Sequence, residues 1–218
     1  MNILVIDIGG NNVKIMATGQ SEKRKFASGP DLTPQRMAAG VKELAADWNY
    51  EAVSIGFPGP VRNNRPEREP VNLGKGDWID FDYEKTFGCP VKMINDAAIQ
   101  ALGSYEGGKM LFLGLGTGLG TTLIDDHHIV AMELGHLPYK KGQTFEDYLG
   151  IQGLNKTGKK KWKINVFTVV EKLKAALLPD YIILGGGNSK KLTELPPDTR
   201  LGDNLNAFKG GFRLWDKN

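Results

Sequence analysis

Four glycines alternate with Leu115, Thr117 and Leu119 from Gly114 to Gly120, between the apolar run 109–113 and the strand-like run 121–125. Glycine accepts positive φ and keeps Cβ atoms out of a ligand's approach, so such a loop can turn its N–H groups toward an anion; a plain hairpin uses the same residues. Near the start of the chain, Asp7 is followed by the turn Gly9-Gly10-Asn11-Asn12. The aspartate can order the turn. Alternatively, the turn clamps a phosphate, with N–H groups and Asn amides on its oxygens and Asp7 on a hydrated Mg²⁺.

Further along stand other groups with chemical potential. Asn95-Asp96 falls where a strand meets a helix, a place for an N-cap or for a ligand-facing carboxylate beyond a strand's carboxyl end. Glu133 and His136 are three apart, too few ligands for a metal pair to be the preferred reading. Glu146 and Asp147 add a second carboxylate cluster. Lys156, Lys159, Lys160, Lys161 and Lys163 form the most basic stretch; an exposed loop is its commoner use and a polyanion contact the other. Arg62, Arg65 and Arg68 lie in a polar loop that reads as solvated surface.

These groups need elements to hold them. Residues 3–6 form an aliphatic run typical of a strand buried on both faces. Runs 13–17, 52–57, 91–94, 121–125 and 181–184 read as further strands, the last entering Gly185-Gly186-Gly187. Thr33-Pro34 opens a helix with Met37, Val41, Leu44, Ala45 and Trp48 on one face. Residues 97–105 and 165–178 are helical in pattern, and 205–215 closes the chain as a helix weakened by Gly210-Gly211. Strand, glycine turn and strand recur near residues 7 and 116, which predicts two similar halves facing a nucleotide cleft.

The 218 residues suffice for one large domain or two lobes, and the net charge of +3 does not suggest a nucleic-acid binder. The single cysteine, Cys89, excludes an internal disulfide and fits a reducing compartment. The first residues lack a signal-peptide pattern and no run has membrane-spanning length, so a soluble, cytoplasmic protein is expected.

Asp7-Ile8-Gly9-Gly10-Asn11, the run from Gly56 to Val61, Asn95-Asp96, Gly114 to Gly120, Glu133-Leu134-Gly135-His136 and Gly185-Gly186-Gly187 occur in one order. That set resembles the ROK sugar kinases (repressor, open reading frame, kinase), on the polyphosphate or ATP glucokinase branch, from Ile3 to about Gly211. The resemblance implies a two-lobed α/β fold of the actin/hexokinase-like, ribonuclease H-like class with the ligand cleft between lobes. Residues 1–107, joined by a C-terminal helix at 203–218, would form the first lobe, and 108–202 the second.

It also implies roles. Asp7, Gly9, Gly10, Asn11 and Lys14, with Gly116, Thr117 and Gly118, would hold phosphates, and Asp7 would reach Mg²⁺ through water. Gly185, Gly186 and Gly187 would lie against adenosine. Asp96 would be the catalytic base, and Asn72, Asn95, Asp96, Glu133, His136 and Glu146 would contact the sugar. The expected partners are glucose or a related hexose and ATP or polyphosphate, with Mg²⁺ as cofactor and a homodimer as the assembly; no nucleic acid and no membrane are expected. Leu137-Pro138-Tyr139-Lys140 stands where most of the family carries a cysteine-rich zinc motif, so no zinc is expected. The segment between Gly150 and Asn165 is short, which leaves the phosphoryl donor open.

Phosphoryl transfer needs positioning and charge neutralisation more than covalent chemistry, and these residue types supply both. Family repressors place a helix-turn-helix ahead of the first hairpin, whereas this sequence opens on the strand, so a kinase is the expectation. A non-catalytic actin-like switch would have no use for Asn95-Asp96 together with Glu133 and His136.

Overall fold

The computed structural model describes residues 1–203 and 205–216; the expected helix at 203–218 thus lies partly outside the described residues, at 204 and 217–218. The chain divides into two compact units, Met1–Gly103 with the chain from Ala207 onward, and Ser104–Asn206.

In the first unit, β1 (Ile3–Ile8) and β2 (Asn12–Ala17) form the first hairpin, and β3 (Arg24–Ala27) pairs with β2. Helix α1 (Pro34–Leu44) follows, capped by the Thr33 hydroxyl, which accepts from the Arg36 N–H. Then come β4 (Ala52–Phe57), the two-residue strands β5 (Val61–Arg62) and β6 (Arg65–Pro66), α2 (Tyr83–Phe87), β7 (Val91–Asn95) and α3 (Asp96–Ser104). The sheet order is β3-β2-β1-β4-β7, with β1, β4 and β7 parallel.

All six residues of β1 are buried, and its period-two alternation sorts them between two cores. Leu4, Ile6 and Ile8 meet Met37, Ala38 and Val41 of α1. Ile3 and Val5 join Ile99 of α3.

In the second unit, β8 (Lys109–Leu115), β9 (Leu119–Asp125) and β10 (His128–Met132) form a meander. Next come a 3₁₀ turn at Leu134–His136, α4 (Phe145–Leu149), α5 (Ile151–Leu177), β11 (Tyr181–Gly185), a short 3₁₀ turn at Ser189–Lys191 and β12 (Thr199–Leu201). The order β10-β9-β8-β11-β12, with β8, β11 and β12 parallel, repeats the first sheet strand for strand.

The chain then returns to the first unit through α6 (Asn206–Arg213). Its glycines serve packing: a Cβ on Gly210 would strike the Ile99 carbonyl of α3, and one on Gly211 would strike Val5. Buried Ser54 of β4 donates to the Gly211 carbonyl at 2.6 Å and accepts from Trp215 Nε1 at 2.9 Å.

The lysine stretch is the clearest correction. It is helical, because Leu154, Trp162, Val166, Val169, Val170 and Leu173 carry one buried stripe through it. The helix breaks only at Gly158, whose φ of 75° and ψ of 160° suit glycine alone. Strands β3, β10 and β12 were not legible in the sequence; they are short or, in β10, largely exposed. Among the described residues no helix is long and apolar enough to cross a membrane.

Candidate functional site

The first unit gathers Asp7, Asn72, Asn95, Asp96 and the first glycine turn. Register sets Asp7 beside Gly56 and Gly56 beside Ile94. The carboxyl ends of β1 and β7 therefore lie two strand spacings apart, about 10 Å.

Asp7 is buried, and its Oδ2 accepts from Lys14 Nζ at 2.9 Å across the hairpin. Gly9 N–H donates to the Asn12 carbonyl at 3.0 Å, and Ser28 ties the turn from outside by donating its hydroxyl to the Gly9 carbonyl at 2.5 Å. The N–H groups of Gly10 and Asn11 find no acceptor among the described residues, and both residues are exposed. Asn72 adjoins this turn: a Cβ on Gly10 would lie 3.8 Å from the Asn72 Cβ. The loop carrying Asn72 is held by Glu69, which accepts from Trp78 N–H at 2.9 Å and Gly76 N–H at 3.3 Å, and by Trp78 Nε1, which donates to the Gly74 carbonyl at 2.8 Å.

Asn95 has a structural task as well. Its Oδ1 accepts from Ala97 N–H at 2.9 Å and Ala98 N–H at 3.2 Å, capping α3, while its Nδ2 donates to the Gly59 carbonyl at 3.1 Å. These three bonds tie the turn after β4 to the end of β7 and fix the first residue of α3, Asp96. Asp96 is half-buried and accepts from Ala97 N–H at 2.8 Å.

The second unit gathers the other predicted residues around the Gly114–Gly120 hairpin. Gly116 N–H turns inward, to the Gly114 and Gly118 carbonyls at 3.1 Å each, and so is not presented to a ligand; Thr117 and Gly118 N–H groups have no acceptor among the described residues. The loop carbonyls are engaged too. Ile151 N–H, at the start of α5, donates to Gly116 and Thr117 at 3.1 Å each, and Asn188 Nδ2 donates to Gly116 at 2.9 Å. Glu146 closes the far side, accepting from Leu119 N–H at 2.9 Å, and its carboxylate occupies the space a Cβ on Gly118 would need.

The 3₁₀ turn carries the exposed Glu133 and His136, with His136 Nε2 3.5 Å from Glu133 Oε2. Buried Thr121 positions this turn: its hydroxyl donates to the Met132 carbonyl at 2.7 Å and accepts from Leu134 N–H at 3.1 Å. Gly135 packs against Leu119 and Glu146, so Glu133, His136 and Glu146 share one neighbourhood with the loop. Of the Gly185–Gly187 triple, Gly185 is pressed on Phe112 and Gly186, at φ +79°, on Leu115; only Gly187 is open and exposed.

The sequence reading missed Ser28, Glu69, Thr121 and Asn188. Only Asn188 had a signal, its place directly after the glycine triple. Among the described residues no group of three or more His, Cys, Asp or Glu side chains is placed to hold a metal ion. Asp7, with one oxygen on Lys14, offers a single carboxylate, which fits an ion carried mainly by water and phosphate oxygens.

Two α/β units of one strand order, each with a glycine turn closing its first hairpin, define the actin/hexokinase-like class of two-lobed folds. The solved relatives agree. An inorganic polyphosphate/ATP-glucomannokinase from Arthrobacter sp. strain KM superimposes with a TM-score of 0.82 at 23% identity, covering 96% of each chain. A ROK hexokinase from Thermus thermophilus does so at 0.70 and 21%, covering 97% of this chain and 96% of its own. The chain belongs to the ROK family, whose sequence model matches residues 3–151. Polyphosphate glucokinase from Mycobacterium tuberculosis is 26% identical over 213 residues, 88% of this chain and 80% of the relative.

Proposed function

We propose that the protein is a sugar kinase that transfers a phosphoryl group from polyphosphate or ATP to the 6-hydroxyl of glucose. The observation that carries this reading is Asp96, fixed by the Asn95 cap at the carboxyl edge of the sheet that also ends in Asp7 and the open N–H groups of Gly10 and Asn11. Family membership and relatives named glucokinases support it.

In this mechanism the Asp96 carboxylate takes the proton of the 6-hydroxyl as the oxygen attacks the terminal phosphorus in line. In the first unit Asn72 and the second amide hydrogen of Asn95 offer partners for the sugar's other hydroxyls, which donate and accept at once. In the second unit Glu133, His136 and Glu146 offer the same. The N–H groups of Gly10, Asn11, Thr117 and Gly118 receive phosphate oxygens without reorganising. Lys14 pairs with Asp7 at 2.9 Å and supplies positive charge beside the first turn. Asp7 would hold Mg²⁺ through water, and the ion would neutralise phosphate charge.

Asp96→Asn keeps the shape but cannot take the proton. It is expected to lose at least about 10²-fold in turnover while still binding glucose by calorimetry. Parent-like turnover in this variant removes Asp96 from the mechanism.

Polyphosphate as a donor is supported by relatives named for it and by the exposed Lys156, Lys159, Lys160 and Lys161, which form no ion pair among the described residues. They follow the helix start that abuts Gly116 and Thr117, Lys156 lying about 8 Å of helix rise beyond Ile151. Replacing Lys159, Lys160 and Lys161 with Ser should weaken polyphosphate-driven turnover on the order of tenfold, flatten its salt dependence and spare the ATP reaction. Equal loss with both donors leaves an ATP-dependent enzyme.

A further inference from the structure

Asn165 is a polar residue in a buried stripe. It is 6% exposed on α5, among Trp162, Val166 and Val169, which are fully buried. A buried amide is costly unless bonded, and here the acceptor is met from outside the helix. Tyr139 Oη donates to Asn165 Oδ1 at 3.3 Å, and Lys140 Nζ donates to the same oxygen at 3.1 Å. The Lys140 ammonium also sits 4.3 Å over the Tyr139 ring, a cation–π contact that holds both donors in place.

Tyr139 and Lys140 belong to a tight excursion between the His136 turn and α4. Phe145 N–H donates to the Leu137 carbonyl at 3.0 Å, Tyr139 N–H to Gln143 at 2.8 Å and Gln143 N–H to Lys140 at 2.9 Å. Pro138 bridges Thr144. The Tyr139 ring meets Phe145 and Tyr148 of α4 edge-on, with centroids 5.4 and 5.1 Å apart. Thr144 and Asp147 complete a capping box at the start of the same helix.

His136 ends the turn on one side of this excursion, and Glu146 stands in the first turn of α4 on the other. We infer that Tyr139, Lys140 and Asn165 form a brace that anchors the 137–144 excursion and α4 to α5, and so sets His136 and Glu146 at one fixed spacing for the acceptor. This rests on the reading that His136 and Glu146 hold the sugar. The three are positioning residues: they act through His136 and Glu146, and their loss should appear in acceptor binding before donor binding. A sugar gripped through several short bonds tolerates little displacement of the grip.

The test compares the parent with Tyr139→Ala, Tyr139→Phe and the double variant Tyr139→Phe/Lys140→Met, which keeps the ring packing and removes both donors to Asn165. Tyr139→Ala should raise the glucose KM roughly tenfold or more with the donor KM within about twofold, and Tyr139→Phe should restore most of the loss. The double variant should raise the glucose KM at least threefold, and it keeps the inference testable if Tyr139→Ala does not fold. Hydrogen exchange in residues 133–149 should quicken in the double variant, a readout that needs no activity. A parent that does not phosphorylate glucose overturns the proposed function, and exchange then decides the brace by itself. A parent that does, with variants keeping its glucose KM or losing acceptor and donor affinity equally, overturns the brace, as does unchanged exchange.

Discussion

The two glycine turns look alike in sequence and are built differently. The turn at 9–11 is tied by Ser28 on Gly9, and a Cβ on Gly10 would meet Asn72 only at ordinary contact distance. The turn at 116–118 is gripped on three sides, by the start of α5, by Asn188 and by Glu146. At Gly118 the Glu146 carboxylate lies where a Cβ would be, so a side chain there must push that carboxylate off its bond to Leu119 N–H. Glycine at Gly10 has no such reason, so its lack of a side chain is free to serve a ligand. A glycine-rich motif thus mixes residues kept for packing with residues kept for approach, and only the surroundings separate them.

The largest effect expected from this contrast is at Gly118. Gly118→Ala must displace the Glu146 carboxylate and its bond to Leu119, so chemical denaturation should show a loss of roughly 1–2 kcal/mol, with activity lost alongside. Parent stability in this variant breaks the comparison.

Gly10→Ala comes next and should behave oppositely. Its backbone does not require positive φ and its Cβ would meet only ordinary contact. Stability should hold or rise by about 0.5 kcal/mol, through a less flexible unfolded chain, while the donor KM rises. Donor affinity unchanged beside unchanged stability would remove this turn from phosphate binding.

The smallest expected effect concerns α4, which supports the second turn through Glu146 and has no counterpart at the first. Thr144 donates its backbone N–H, and secondarily its hydroxyl, to Asp147, at 2.7 and 2.8 Å, holding that carboxyl below its ordinary range. A depressed folded value stabilises fully above the unfolded carboxylate pKa, about 3.9, and the gain is lost as pH falls through the folded value. The parent's melting temperature should therefore fall more steeply below about pH 4 than that of Asp147→Asn. Parallel curves for the two would show that the capping box does not titrate with folding.

Much of this was readable in advance, for identifiable reasons. Buried parallel strands declare themselves as aliphatic runs, so β1, β4, β7 and β11 stood out, and the strand-turn-strand repeat near residues 7 and 116 matches sheets of identical order. Thr33-Pro34 marked the start of α1 because the missing proline donor is harmless there. Asn95-Asp96 was read as either cap or chemistry, and the geometry gives Asn95 the cap while leaving Asp96 at the strand's edge. In the lysine stretch the charges mask the helix, which only the spacing of Leu154, Trp162 and Val166 reveals.

What the sequence by itself determined was the kind of each element and the residue types offered to a ligand, since both follow from local periodicity and side-chain chemistry. The tertiary structure alone decided which of those groups are occupied. Gly116 N–H is turned inward, Asn95 is a cap, Gly185 and Gly186 are packing contacts, and Asn165 is answered by Tyr139 and Lys140. The reason is that a donor, an acceptor or the space beside a glycine is filled by whatever the fold brings from elsewhere in the chain, and no local pattern of residues encodes that partner.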